Sequence, residues 1–271
     1  AVAGLKVKLF AEDGVGNASS RSFFNKTMPR RWREVTLELK EGFLREQVGI
    51  LAERNLAKLQ AQALEAGEKL EHVTPINSPQ RLVEDFQLVN DRLRRLDDIQ
   101  IQSLLMSKRS SRVWEGPFLM QNGIVELAYG SMLVYRFAGE TIGRSFQQGY
   151  EMRPVREDRG VVAANKGVVV FSENFGVYGR SIGIDHGFGL ATIYGQLERV
   201  LVDVGDAVES GQMIGHAGRS GLARGPNVYF EMRVQGVPVD AREWWDKPWF
   251  FAHILGKIDE VKKVLGLQNY R

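Results

Sequence analysis

The chain has no cysteine in its 271 residues. That excludes a disulfide framework, thiolate chemistry and any cysteine-ligated zinc site. Histidine is scarce: the four are His72, His186, His216 and His253. No two of them stand at His-x-His or His-x-x-x-His spacing, so surface or structural roles are expected of each rather than metal ligation. No apolar run approaches the roughly 20 residues that a membrane-spanning helix needs. No charged segment followed by an apolar core opens the chain. It begins at Ala1 without an initiator methionine, from which we expect an export signal or membrane anchor upstream. A bias of charge is missing as well: 36 Lys and Arg face 33 Asp and Glu, for a net charge of +3. This dispersed excess makes no basic face or stripe, so no nucleic-acid partner is expected.

What is present divides into regions of different period. Over 1–36, Leu5-Lys6-Val7-Lys8-Leu9 alternates apolar and charged residues as a half-buried strand does, and the turn-rich 13–17 and Ser22-Phe23-Phe24 follow. A strand pair of this size does not fold alone, and it resembles the last strands of an immunoglobulin-like module. Over 37–110 the period becomes helical. Phe43, Leu44, Val48, Leu51, Leu56, Leu59 and Leu64 make one broken apolar stripe. Ser78-Pro79 supplies an N-cap and a first-turn proline. Behind it Leu82, Phe86, Val89, Leu93 and Leu96 recur at alternating spacings of four and three. Such a seam predicts an antiparallel helical hairpin around the 73–78 loop, resting on the next domain. It is too short to argue a dedicated coiled coil, which takes about three or four heptads.

Over 111–249 short β segments are expected at Gly167–Phe171, Ser181–Asp185, Ala191–Tyr194, Arg199–Val202 and Tyr229–Val234, between glycine-rich turns. This is the pattern of an all-β sandwich or barrel. Asp185-His186-Gly187 and Gln235-Gly236 are the expected hairpin turns. The last region, 250–271, reads as an amphipathic helix with Phe251, Ile254, Leu255, Ile258, Val261 and Leu265 on one face. That face is expected to pack back on the protein, because its polar side is mixed in sign rather than basic as membrane-surface helices are. The fold class is thus α+β: an all-β C-terminal domain preceded by a helical hairpin and a short immunoglobulin-like strand segment.

The stretch Val168 to Asp240 carries the strongest signal. It runs through Ile182-Gly183-Ile184-Asp185-His186-Gly187-Phe188-Gly189, then Tyr194-Gly195-Gln196-Leu197, Val204-Gly205-Asp206-Ala207-Val208, Gly211-Gln212-Met213-Ile214-Gly215 and Asn227-Val228-Tyr229-Phe230-Glu231. This resembles the LytM/lysostaphin-type metallo-endopeptidases, barrels of duplicated hybrid motif that cut peptide cross-links in bacterial cell wall. The resemblance is strong over the C-terminal half. Further forward it rests on Ala11-Glu12-Asp13-Gly14-Val15-Gly16-Asn17 and Trp114-Glu115-Gly116-Pro117-Phe118 alone.

The family's chemistry implies a zinc ion held by His, Asp and His, with further histidines steering water and substrate. Three protein ligands leave a fourth position for a water whose pKa falls to about 7. Here the resemblance puts Gln147, Glu151 and Tyr229 at the metal-ligand positions, and Gln196 and Asn227 at the catalytic-histidine positions. Gln147 and Glu151 are placed by counting back from Ala163-Ala164-Asn165-Lys166-Gly167. Carboxamide oxygens suit calcium better than a three-ligand zinc centre. A tyrosine would have to ionise from a pKa near 10. Neither a metal nor any other cofactor is therefore expected, and the chain reads as a degenerate member without zinc hydrolysis.

Three readings compete. A residual zinc-dependent peptidoglycan endopeptidase would rely on Glu151 and a borrowed ion, without the ligand set that a metal hydroxide needs. A lipoyl- or biotinyl-type carrier resembles Val204–Val208 and Gly211–Ile214, but the lysine-bearing hairpin tip is absent. A binding protein remains. Degenerate LytM-type relatives imply two habits, activation of a cell-wall amidase and pairing with an active LytM homologue. Either makes this an envelope or periplasmic regulator or scaffold of wall remodelling; the alternative is a structural subunit of an envelope complex with no wall role. A peptidoglycan peptide along the old cleft would meet Tyr150, Tyr194, Tyr229, Asn227, Gln147 and Gln196. The residues leave open whether these line a groove or plug it.

Overall fold

The chain divides into two compact units, residues 1–32 and 33–271, and each is described by itself. The computed structural model describes residues 8–12, 18–22, 32–70, 74–75, 78–106, 109–155, 157 and 159–266. In the first unit β1 (Lys8–Glu12) and β2 (Ala18–Ser22) form an antiparallel pair with Phe10 opposite Ser20. The strand expected over 5–9 overlaps it at Lys8 and Leu9. Leu5–Val7, the 13–17 turn and Phe23-Phe24 lie outside the described residues.

The second unit opens with β3 (Glu34–Glu38), where Val35 and Leu37 alternate with charged or hydroxylated neighbours. Helices follow over 41–65 and 79–105, each interrupted by a π-wound turn, Leu44–Gly49 and Leu88–Leu93. The second helix starts as its sequence dictates: the Ser78 side chain accepts from the Arg81 N–H at 3.2 Å, with Pro79 behind it. Leu44, Val48 and Leu59 of the first helix and Leu82, Phe86, Val89 and Leu93 of the second are buried together in one core. Leu64 departs from the expected stripe and is exposed. Of the 73–78 loop, only residues 74, 75 and 78 are described.

The remaining strands are β4 (Gly123–Leu127), β5 (Met132–Phe137), β6 (Glu140–Phe146), β7 (Tyr150–Pro154), β8 (Gly160–Val162), β9 (Gly167–Phe175), β10 (Gly179–Gly187), β11 (Leu190–Val200), β12 (Ala207–Val208), β13 (Met213–Ala217), β14 (Val228–Val234) and β15 (Val237–Val239). A three-stranded sheet has the order β3-β5-β6, with β3 parallel to β5, Leu37 opposite Tyr135. A parallel pair requires a long crossover, and here both helices lie within it. The expected boundary at residue 36 therefore falls inside a strand of this sheet, not at the end of an immunoglobulin-like segment. The other ten strands make one sheet with the path β12-β9-β10-β11-β14-β7-β4.

The β segments expected over 111–249 are present with two shifts. Arg199-Val200 continues β11 rather than starting a new strand. The turn between β10 and β11 is Phe188-Gly189, so Asp185 and His186 belong to β10. His186 is wholly buried. Its ring nitrogens meet the Lys166 carbonyl at 2.6 Å and the Thr192 hydroxyl at 2.8 Å. Gln235-Gly236 forms the β14–β15 turn as expected, both residues at positive φ.

Polar clasps join the helices to the large sheet. Asp97 Oδ2 accepts from the Val177 N–H at 2.9 Å, and Gln47 Nε2 donates to the carbonyls of Gly221 at 2.7 Å and Ala223 at 2.9 Å. Gly176 lies so close that an added Cβ would be 2.6 Å from Leu93, which is why glycine stands there.

Past the short turn Arg242–Trp245, Asp246 caps the helix over 247–264 by accepting from the Trp249 N–H at 3.0 Å. Phe250 is buried and Ile254, Leu255 and Ile258 are partly covered by the core that Tyr150 and Tyr194 of the large sheet share. Phe251, Val261 and Leu265 are exposed, so only half of the expected apolar face packs back. Among the described residues no helix is long and apolar enough to cross a membrane.

Candidate functional site

Strand pairing assembles the site. β7 and β11 both flank β14, and their registers set Glu151 opposite Tyr229 and Tyr229 opposite Gly195. Gln196, one residue on, has φ +63°, a conformation uncommon outside glycine. Its Nε2 donates to Glu151 Oε1 at 3.2 Å. Residues far apart in the sequence, expected to mark one site, are brought into contact.

The polar groups are buried and under-partnered. Gln147 Nε2, Glu151 Oε2, Gln196 Oε1 and Asn227 Oδ1 have no hydrogen-bond partner among the described residues. Gln147, Glu151, Gln196 and Tyr229 line a cavity of about 30 Å³, room for a water or two. Phe86 and Arg94 of the second helix and Leu39 after β3 close it. Burial pushes the Glu151 carboxyl above its ordinary pKa, and the Arg224 guanidinium, 4.0 Å from Oε2, works against that rise. Asn227 Nδ2 lies 3.5 Å from Glu126 Oε2.

Tyr229 is tied down elsewhere. Its hydroxyl donates to Glu231, which also holds Arg233, and Arg233 reaches Asp98 on the second helix. Burial, then the Glu231 charge, raises the Tyr229 pKa well above its ordinary value, so the phenol keeps its proton. The expectation that Tyr150 and Tyr194 line a groove is corrected. Both are buried in the core on the other side of the sheet. The Tyr150 hydroxyl donates to Asp240, and the Tyr194 hydroxyl accepts from the Ala164 N–H at 2.7 Å. Tyr229 and Asn227 are buried too, and the cleft is capped by the helices.

These residues do not fit a zinc ion. A neutral amide, one desolvated carboxyl and a phenol that keeps its proton offer no imidazole and no second anion. Among the described residues no group of three His, Cys, Asp or Glu is placed to hold a metal. Two cations at the site went unnoticed in the sequence. Arg224 precedes Gly225-Pro226-Asn227 and was within reach of motif reading. Arg94 sits on the helical seam, and nothing in the helix pattern points it into a β domain.

Residues 145–241 match peptidase family M23. This stretch is an M23 domain. Stage II sporulation protein Q of Bacillus subtilis is 36% identical to the chain over 94 residues, 34% of this chain and 33% of that protein. The murein hydrolase activator EnvC of Escherichia coli is 32% identical over 142 residues, 52% of this chain and 30% of that protein. The peptidoglycan DD-endopeptidase ShyA of Vibrio cholerae is 38% identical over 81 residues, 30% of this chain and 19% of that protein. The chain thus spans a third or less of these relatives' own length. The M23 domain contains all five positions expected at the old metal site, Gln147, Glu151, Gln196, Asn227 and Tyr229.

Proposed function

We propose that this chain is a catalytically inactive M23 protein of the bacterial cell envelope that acts through protein contacts, as a regulator or scaffold of cell-wall remodelling. The observation that carries the reading is the donor set in the M23 cleft. Gln147, Glu151 and Tyr229 are the residues that the resemblance implies for the ligand positions, the Tyr229 hydroxyl is committed to Glu231, and the cavity they line is about 30 Å³. The relatives supply context. One is named as an activator of murein hydrolases and another as an endopeptidase, so wall chemistry is shared ground while the activity itself is not carried over. A cell-wall amidase or an active M23 homologue is the expected partner, in the periplasm or envelope.

The test is affinity capture from envelope extract, followed by assay of the purified pair on wall sacculi. The expected result is a captured amidase or M23 peptidase whose release of wall fragments rises with this chain present. Capture of neither would count against regulation. It would favour the alternative of a structural subunit without a wall role.

A further inference from the structure

Phe188 occupies the turn between β10 and β11 with φ +53° and 56% of its surface exposed. A bulky aromatic is a rare choice for that conformation, which glycine and asparagine adopt readily. The backbone is held on both sides: the Phe188 N–H donates to the Arg109 carbonyl at 3.1 Å, and its carbonyl accepts from Gln235 Nε2 at 3.1 Å. Beside it Gly187 has φ +87°, and a Cβ there would lie 2.0 Å from the Ser111 carbonyl oxygen. The 109–113 segment is thus pressed against the turn, and the backbone that carries the exposed ring is held in place.

Phe188 forms one wall of a groove of about 1230 Å³, bounded otherwise by 110–115 and the end of the C-terminal helix. It shares no residue with the M23 cleft. Arg112, Lys262 and Lys263 line it against Glu115 and Asp259, and Glu115 is engaged by Lys166 at 3.3 Å. Arg112 stands 4.9 Å over the Trp114 ring, and neither it nor Lys263 has a carboxylate partner among the described residues. Trp114 is only 5% exposed, its ring packed against Phe118, Trp244 and Phe250, so it anchors Arg112 at the groove wall. The volume exceeds the roughly 300–1,000 Å³ of small-molecule pockets, which favours a peptide.

We propose that this groove docks an acidic peptide segment of a partner protein. Its carboxylates meet Arg112 and Lys263, and an apolar side chain rests between Phe188 and Ile258. The proposal stands apart from the reading of the M23 cleft and survives its failure.

The experiment is selection of a random peptide library displayed on phage against the whole chain. Binding of the enriched peptides is then measured by fluorescence anisotropy, alongside vesicles of phosphatidylglycerol. The expected result is enrichment of sequences combining Asp or Glu with an apolar residue. Their affinity should fall by at least about tenfold in Arg112→Glu/Lys263→Glu and in Phe188→Asp, and weaken with salt. The variant Arg54→Glu/Arg199→Glu makes the same charge change elsewhere and should bind as the unaltered chain does. Circular dichroism establishes that each variant is folded. No enrichment, enrichment without acidic bias, or equal binding to the groove variants overturns the proposal. Binding to vesicles but not to peptides overturns it in favour of a lipid surface.

Discussion

Gln196 donates to Glu151 across 3.2 Å, joining two residues that the resemblance to the LytM-type family implies for a catalytic-histidine and a ligand position. The amide does for the carboxylate what a cation would do only in part: it satisfies one oxygen and leaves the other with Arg224 at 4.0 Å and no hydrogen bond among the described residues. If these are the old ligand positions, the combined change Gln147→His, Glu151→Asp, Asn227→His and Tyr229→His should give the folded protein chelator-removable zinc near one equivalent. Metal analysis of the purified variant checks it. Absence of zinc in a folded variant would point first at the placement of Gln147.

The Glu231–Arg233–Asp98 chain ties β14 to the second helix, and Arg233 is 1% exposed. Arg233→Met leaves the Glu231 carboxyl buried without its cation, and breaking a buried pair from one side costs about 3–5 kcal/mol. Urea unfolding should register that loss. A change under about 1 kcal/mol would mean that Glu231 is already protonated.

Gln47 reaches from the first helix to three carbonyls of the 219–223 loop. Gln47→Ala should cost about 1–2 kcal/mol and speed amide hydrogen exchange in that loop, leaving β10 and β11 protected. Unchanged exchange there would show that the loop is held by other contacts.

His186 sets an acid limit. Burial lowers its pKa from 6.5 to about 4, although the Lys166 carbonyl and the Asp185 charge oppose the shift. The folded form favours the neutral ring, so its stabilisation is complete above the unfolded pKa near 6.5 and is lost as pH falls through that value towards 4. The loss is on the order of 3 kcal/mol. In His186→Gln this part of the slope of stability against pH should vanish between those values. An unchanged slope would assign it to the carboxylates.

The helical hairpin and most strands were legible because local period and capping decide them: Ser78-Pro79 starts its helix, and Gln235-Gly236 turns its hairpin. Motif spacing singled out Gln147, Glu151, Gln196 and Tyr229, and these four line one cavity. The parallel pairing of β3 with β5 was not legible, because Glu34–Glu38 looks like any short alternating strand and its partner lies beyond two helices. The capping of the cleft was hidden for the same reason. A helical stripe tells that Phe86 is buried, but not that Arg94 faces Glu151. Tyr150 and Tyr194 were misjudged because strand alternation puts neighbouring side chains on opposite faces, and only the register assigns each face.

Zinc content and wall lysis, measured on one preparation free of contaminating hydrolase, test the central claim most directly. The expected result is zinc far below one equivalent and no release of fragments from sacculi, with or without added zinc. Stoichiometric zinc together with digestion that a chelator abolishes would contradict it.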